Sequence, residues 1–260
     1  MPFDPTPEHI AASEAHIELM ERRFREHYAD TGLVARVPNG ADPSESLEVY
    51  TFAFGIMVSI LRSSHALVLL GREGLMVESR PIFRSLLDQI IALHSIQARG
   101  VHAVHAYGKQ LAENYRKLLR ASEAGFPWGG VNTAYMEFFV ELAENLPSSA
   151  EGRAAENAIK TYQAATEAGP LIQGVYQMWL EATPLSKPSM RLADMYINTI
   201  EADGGYKVEL YFESDPQAVV DARIIVASVV PLAMLAYAAI VEDPALGAIA
   251  DELGATSPRR

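Results

Sequence analysis

The stretch ESRPIFRSLLDQIIALH, residues 78–94, decides the fold class, because its apolar side chains recur at the spacing of an α-helix. At 3.6 residues per turn, five large apolar side chains share one wide face: Phe83, Leu86, Leu87, Ile90 and Leu93. A face of this width is typical of a helix that other helices surround. The stretch therefore predicts a central helix in an all-α domain.

Three charged residues lie along one flank of the same helix. Arg80, Arg84 and Asp88 follow one another at steps of four residues. Two arginines at this spacing repel each other, and burying them unpaired would cost several kcal/mol. Either a structural ion-pair network compensates for them, with Glu73 or Glu78 available to Arg80, or paired guanidinium groups bind an anion. A solvated face is the third interpretation.

The structural interpretation makes a sharp prediction for this cluster. We expect Arg84 and Asp88 to be mostly buried and paired, and Arg84 to reach the loop at residues 184–189. If that is correct, Arg84→Met would leave Asp88 buried without a partner and would destabilise the fold by about 3–5 kcal/mol.

Composition excludes several classes of function. Of the 260 residues, 49% are hydrophobic and 21% are charged, the balance of an ordinary soluble protein. With 21 basic against 33 acidic residues, the net charge of −12 argues against a nucleic-acid partner. The chain has no cysteine, which excludes disulfides and thiolate chemistry. The N-terminus lacks the pattern of a signal peptide, so we expect a cytoplasmic protein.

Cap and break signals predict about eight helices in a single bundle-like domain, residues 1–260, with flexible tails at residues 1–5 and 254–260. Thr6–Pro7 and Asp42–Pro43 mark helix starts, and Gly169–Pro170 marks a break. The predicted helices cover roughly residues 6–30, 42–71, 74–98, 101–124, 132–145, 149–167, 171–182 and 216–241. A small β-hairpin is predicted at 195–212, on the outside, from alternating residues around a Gly-Gly turn.

The last predicted helix contains 18 uncharged residues, 224–241, which is the lower limit for a membrane span. It is rich in alanine, contains Pro231 and has no basic cluster at either end. We therefore expect it in the protein core, with membrane insertion as the alternative. The helices at 74–98 and 216–241 should together form the centre of the fold.

Two histidine patterns suggest other chemistry. His102 and His105 share a helix face with Glu113 and could ligate a metal, but Lys109 and Arg116 lie on that face, so no metal is predicted. The Arg99–His105 spacing fits a ribonuclease of the helical HEPN type, in which such residues supply a base and a cation. No phosphate loop, dinucleotide motif or nucleophile elbow is present, and we expect no cofactor.

The stretch LVLLGREGLMVESRPIFRSLLDQIIALHSIQARG, residues 67–100, resembles the signature region of a large group of bacterial all-helical proteins of unknown function. That group has an Arg-Ser-Leu-Leu-Glu helix, matched here by residues 84–88 with Asp88 in place of Glu. It also has a later Tyr, Ser and His-Pro-Ser element, to which Tyr176, Ser186 and residues 187–189 are similar, with Lys187 replacing His. The resemblance implies an all-helical fold in which Arg84, Asp88 and the 186–189 loop meet. It implies no activity, although some members occur near defence or toxin-like genes.

The sequence favours a protein that binds a small anionic or polar ligand, or a partner. The expected site consists of Arg80, Arg84, Asp88, Tyr176, Ser186 and Lys187. Trp179, Trp128 and Phe126 are further aromatic residues that could line a pocket. The alternatives are a metal-independent ribonuclease or defence-type protein that uses Arg99 and His105, and a helical scaffold without a pocket. A homodimer is compatible with each.

Overall fold

A computed structural model describes residues 6–31, 42–125, 133–146, 149–202, 205–210 and 220–256. Within these ranges the chain forms eleven α-helices: α1 (Pro7–Thr31), α2 (Pro43–Arg72), α3 (Arg80–Arg99), α4 (Val101–Glu123), α5 (Thr133–Glu144), α6 (Ala150–Ala158), α7 (Thr161–Glu167), α8 (Pro170–Ala182), α9 (Met190–Asp194), α10 (Ala222–Ile240) and α11 (Pro244–Thr256). A 3₁₀ turn, Thr183–Leu185, follows α8. The all-α class predicted from the sequence is confirmed.

Helix α3 buries the face that the sequence identified. Phe83, Leu86, Leu87, Ile90 and Leu93 are each at most 1% exposed. The helix begins at Arg80 with Pro81 in its first turn, where a missing backbone N–H does not break a helical hydrogen bond. It packs against α2, α10, α8, α7 and α4, so side chains from most of the fold converge on it.

Helix α10 is the second central element and contacts α1, α2, α3 and α11. It begins at Ala222, later than predicted, because the side chain of Asp221 caps it by accepting a hydrogen bond from the Arg223 backbone N–H at 2.9 Å. The cap predicted at Asp215–Pro216 lies outside the described residues. By length and composition alone, α2 and α10 could each span a membrane, with mean hydropathies of 1.7 and 2.0. In the fold, 72% of the apolar 18-residue segment of α10 is buried inside the protein.

Several helix boundaries differ from the prediction. The helix expected at 149–167 is two helices, α6 and α7, because Lys160 has an extended backbone between them. Helix α11 was not predicted, although Asp243–Pro244 is the same signal as Asp42–Pro43. Asp243 accepts hydrogen bonds from the backbone N–H groups of Ala245 and Leu246. A flexible C-terminal tail was predicted at residues 254–260, but α11 extends to Thr256, so the first three of these residues are helical. The N-terminal tail predicted at residues 1–5 lies outside the described ranges.

Two short strands lie between α9 and α10. Strands β1 (Ile197–Ala202) and β2 (Gly205–Leu210) pair antiparallel, with Ile197 opposite Leu210 and Ala202 opposite Gly205. Residues 203 and 204, which connect them, lie outside the described ranges. β1 contacts α9, so the pair adjoins the short helix that precedes it.

A buried ion cluster joins α1, α2 and α10, and it was not predicted from the sequence. Arg223 is 8% exposed and Asp221 is 6% exposed. The Arg223 Nη1 donates to Glu14 Oε1 at 2.6 Å, and its Nε donates to both Asp221 oxygens at 3.0 Å. Burial alone would lower the pKa of Arg223, but Asp221 and Glu14 together raise it above the ordinary value. The guanidinium therefore stays charged inside the fold.

His16 on α1 gives the fold a pH-dependent contribution to stability. It is 6% exposed, and its Nε2 has no hydrogen-bond partner among the residues that the structure describes. Burial lowers the pKa of His16, although a hydrogen bond with the Leu253 backbone opposes the shift. Between the lowered folded pKa and the unfolded value of about 6.5, only the unfolded chain is protonated at this position. The stabilising contribution is therefore complete above about pH 6.5 and is lost as the pH falls toward the folded pKa.

We expect His16→Gln to flatten the loss of stability on acidification below about pH 6.5. Denaturant unfolding of both proteins at a series of pH values measures this, and the difference between the two curves isolates His16 from the carboxylates. Parallel curves for wild type and His16→Gln would contradict the prediction.

Candidate functional site

The predicted site divides into two groups in the structure, and Arg80 belongs to the buried one. Arg80 is 5% exposed, and its Nη2 donates to the backbone carbonyl of Val220, just before α10. Ser186 Oγ is hydrogen-bonded to the carbonyls of Arg80 at 3.2 Å and Ala182 at 2.6 Å. Burial lowers the pKa of Arg80 to about 10, while Asp221 and Glu181 oppose the shift. Arg80 and Ser186 thus connect α3 to the end of α8 and to the start of α10.

Arg84 lies one turn further along α3, and its environment differs from the prediction. Its guanidinium carbon lies 4.6 Å from the centre of the Trp179 ring, and its Nε donates to Thr183 Oγ1 at 3.1 Å. Its Nη2 is 3.9 Å from Asp88 Oδ2, and the two side chains are 33% and 36% exposed. Arg84 and Asp88 are therefore paired, as predicted, but about a third of each side chain remains exposed to solvent.

Aromatic rings extend the surface on which Arg84 lies. Trp179 stacks on Tyr176 with ring centres 5.5 Å apart at 16°, and Tyr176 contacts Tyr162 edge-on at 5.6 Å. These residues come from α7 and α8, which pack side by side on α3. We call the group formed by Arg84, Asp88, Tyr162, Tyr176, Trp179 and Thr183 the Arg84 shelf.

The shelf contains three of the six predicted ligand-binding residues, namely Arg84, Asp88 and Tyr176. Lys187 is exposed in the turn after the 3₁₀ segment, and it forms no ion pair within the described part of the chain. Arg84 contacts Thr183, which precedes the 184–189 loop, whereas Ser186 bonds to the Arg80 backbone. The loop is therefore tied to α3 through Arg80, and the expected contact between Arg84 and residues 184–189 is replaced by the contact with Thr183.

The aromatic residues of the shelf were only partly foreseen. Trp179 and Tyr176 are three residues apart, a spacing that places them on one helix face and that is compatible with either core packing or pocket lining. Tyr162, which is 63% exposed, was not predicted. Trp128 and Phe126 lie outside the described residues.

The two residues of the ribonuclease alternative point to different surfaces. Arg99 Nη2 pairs with Glu167 at 2.6 Å and lines a cavity of about 380 Å³ between α3, α6 and α7. His105 Nε2 lies 2.9 Å from Glu48 and lines a separate cavity of about 70 Å³ between α2, α4 and α6. Gly100, with φ of +53°, separates α3 from α4 and turns the two side chains apart. The structure does not bring Arg99 and His105 together.

The histidine group considered as a metal site is also divided. Glu113 pairs with Arg116 at 3.4 Å, and His105 pairs with Glu48. Within the described ranges, no three His, Asp or Glu side chains are placed to hold a metal ion together.

Comparisons with models of known families, with curated proteins and with solved structures give no significant match to this chain. The arrangement of the site must therefore be interpreted from its own chemistry.

The exposure of the Arg84–Asp88 pair changes the expected effect of Arg84→Met. Because water screens the pair and can solvate Asp88, we now expect a loss of about 1 kcal/mol or less rather than about 3–5 kcal/mol. Denaturant unfolding of wild type, Arg84→Met and the double variant Arg84→Met/Asp88→Leu measures it. A loss above about 3 kcal/mol that the double variant recovers would restore the buried-pair interpretation.

Proposed function

We propose that this protein binds a small anionic ligand with a planar body at the Arg84 shelf. The observation that carries the proposal is the way Arg84 is held: its guanidinium stacks on Trp179 at 4.6 Å, and Thr183 fixes its Nε at 3.1 Å. One third of the side chain remains exposed. A guanidinium fixed in this way presents its remaining N–H groups to a carboxylate with little further loss of side-chain entropy.

The aromatic side of the shelf favours a planar ligand. The rings of Tyr162, Tyr176 and Trp179 contact one another in that order. Tyr162, at one end, is 63% exposed. Tyrosine offers a flat apolar surface with a hydroxyl group at one end, which suits an aromatic or conjugated acid. Tyr162 also lines the cavity of about 380 Å³ that contains Arg99, so the shelf adjoins a space large enough for a small molecule.

Asp88 limits which ligands would bind well. Its carboxylate lies 3.9 Å from Arg84 Nη2 and 3.4 Å from Thr161 Oγ1, where it would repel an incoming anion. A ligand must therefore gain from stacking as well as from charge. We therefore expect a planar carboxylate such as benzoate to bind better than inorganic phosphate.

Tryptophan fluorescence tests the proposal, because Trp179 belongs to the shelf. In a Trp128→Phe background Trp179 is the only tryptophan of the chain, and benzoate should change its emission in a saturable way. Arg84→Met should abolish the change. Asp88→Asn should tighten binding about fivefold, the effect of removing a repulsive charge worth about 1 kcal/mol. Benzamide, which is planar but neutral, should bind more weakly.

Arg116→Met is the matched control, because Arg116 is a similarly exposed arginine that pairs with Glu144 on the distant α4–α5 pair. It should leave the benzoate titration unchanged. Equal titrations for wild type and Arg84→Met, or no saturable change with any planar acid, would contradict the proposal.

A further inference from the structure

Helix α5 presents an apolar surface to solvent, outside the Arg84 shelf. Phe138 is 58% exposed and Leu142 is 48% exposed, whereas Ala143 is the one buried residue of this helix. The helix packs on α4. Phe138 and Leu142 are four residues apart and therefore adjacent on one side of the helix. An exposed apolar surface of this kind on a soluble fold marks an interaction site.

Helix α4 continues the same surface. The Tyr115 ring contacts the rings of Tyr135 at 6.2 Å and Phe139 at 6.0 Å, which places these residues on one side of the antiparallel helix pair. Leu111 and Leu118 lie four residues before and three residues after Tyr115, so they share its side of α4. Leu111 is 39% exposed. We call the surface formed by Leu111, Leu118, Phe138 and Leu142 the α4–α5 face.

The two helices that form this face differ in net charge. The charged residues of α5 are all acidic: Glu137, Glu141 and Glu144. The C-terminal half of α4 carries three basic residues, Arg116, Lys117 and Arg120, and two acidic ones, Glu113 and Glu123, so its net charge is positive. Arg116 already pairs with Glu144 at 3.0 Å. Lys117, Arg120, Glu137 and Glu141 are exposed and form no ion pair within the part of the chain that the structure describes.

We propose that the α4–α5 face binds the same face of a second copy of this chain, with α5 of each copy packed on α4 of the other. A two-fold interface requires a self-complementary surface, and this one combines an apolar centre with an acidic helix, α5, and a helix of net positive charge, α4. Packing α5 on α4 of the partner brings opposite charges together, whereas packing α5 on α5 would oppose the glutamates. The product is a four-helix bundle that buries the exposed Phe138 and Leu142.

Other occupants fit this surface less well. The acidic side chains of α5 would be repelled by the anionic lipids that attract interfacial helices, and they would also be repelled by nucleic acid. The dimer goes beyond the ligand site, because it requires neither Arg84 nor a ligand.

Sedimentation equilibrium of the full chain over a range of concentrations tests the proposal. Wild type should show a monomer–dimer equilibrium. Phe138→Glu should raise the Kd about thirtyfold or more, the effect of losing a central aromatic contact. Leu171→Glu is the control, because Leu171 is 71% exposed on α8, and it should not change the Kd. Circular dichroism establishes that both variants fold, and Phe138→Ala replaces Phe138→Glu if the latter does not.

Charge exchange tests the arrangement of the helices. Glu141→Lys and Lys117→Glu should each weaken the dimer, and the double variant should recover wild-type affinity. A chain that is monomeric at every concentration would overturn the proposal. So would a dimer that Phe138→Glu leaves intact, or single charge variants that the double variant does not rescue. Binding of the wild-type monomer to anionic vesicles through Phe138 would equally overturn it.

Discussion

Arg223→Met is expected to lower the free energy of unfolding by about 3–5 kcal/mol, because Arg223 is the buried cation between two carboxylates. Asp221 is 6% exposed, and the Glu14 side chain is 13% exposed. Both carboxylates rely on the Arg223 guanidinium, which forms bonds of 2.5–3.0 Å to Asp221 and of 2.6 Å to Glu14. Methionine fills a similar volume but leaves Asp221 buried without a cation and leaves Glu14 with Arg72 as its one remaining cationic partner among the described residues. Chemical denaturation at neutral pH measures the loss.

Arg72→Met is the matched control for this prediction. Arg72 also pairs with Glu14, at 2.9 Å, but its own side chain is 48% exposed. Because water can replace an exposed partner, Arg72→Met should change stability far less than Arg223→Met. Similar losses for the two variants would show that Arg223 is not the central cation of the cluster. A triple variant, Arg223→Met/Asp221→Asn/Glu14→Gln, should recover part of the loss by removing the stranded charges.

Gly71→Ala is expected to destabilise the fold by about 2–3 kcal/mol, although alanine favours a helix more than glycine does. A Cβ at position 71 would lie 2.6 Å from Arg223 Nε and 2.7 Å from its Cζ. Long side chains usually move away from such a clash. Here Asp221 and Glu14 hold the guanidinium on its other sides, so displacing Arg223 would also strain its ion pairs. Thermal and denaturant unfolding measure the change.

Gly55→Ala provides the control, because Gly55 lies in the same helix and a methyl group added there would meet no atom within 4 Å. It should raise stability by about 0.5–1 kcal/mol, the ordinary gain in helix propensity. In an Arg223→Met background the clash at position 71 is relieved, and Gly71→Ala should there become nearly neutral. If Gly71→Ala stabilises the wild-type protein as Gly55→Ala does, Arg223 is not packed against α2 in the way the structure shows.

The helices that depend on local signals could be predicted from the sequence. Asp42 with Pro43 and the break at Gly169 were placed within one or two residues of the observed boundaries. The buried face of α3 was also predicted, because side chains three and four residues apart must share a side of any helix. The division between α6 and α7 was not predicted, since nothing in the composition of residues 149–167 disfavours a continuous helix at Lys160.

The candidate site was predicted only as far as the geometry of one helix determines it. The spacing of Arg84 and Asp88 placed them one turn apart, as observed. Their exposure, and the stacking of Arg84 on Trp179, depend on how α8 lies across α3, and no local pattern specifies this. The exposed position of Lys187 and the attachment of Ser186 to the Arg80 backbone depend on the same packing.

The sequence by itself determined that this chain is helical, which face of α3 is apolar and that α10 is apolar along its length, because these properties follow from residue order within a few turns. The tertiary structure decided what happens to each arginine. Arg80 donates a hydrogen bond to a carbonyl 140 residues away in the sequence, and Arg84 stacks on a tryptophan of another helix. Arg223 forms an ion pair with Glu14, which is 209 residues away in the sequence. A guanidinium has the same local chemistry in all these cases. Whether it is buried, stacked or solvated depends on the acceptors that distant helices bring to it, because desolvating a charge is tolerated only where such partners are present.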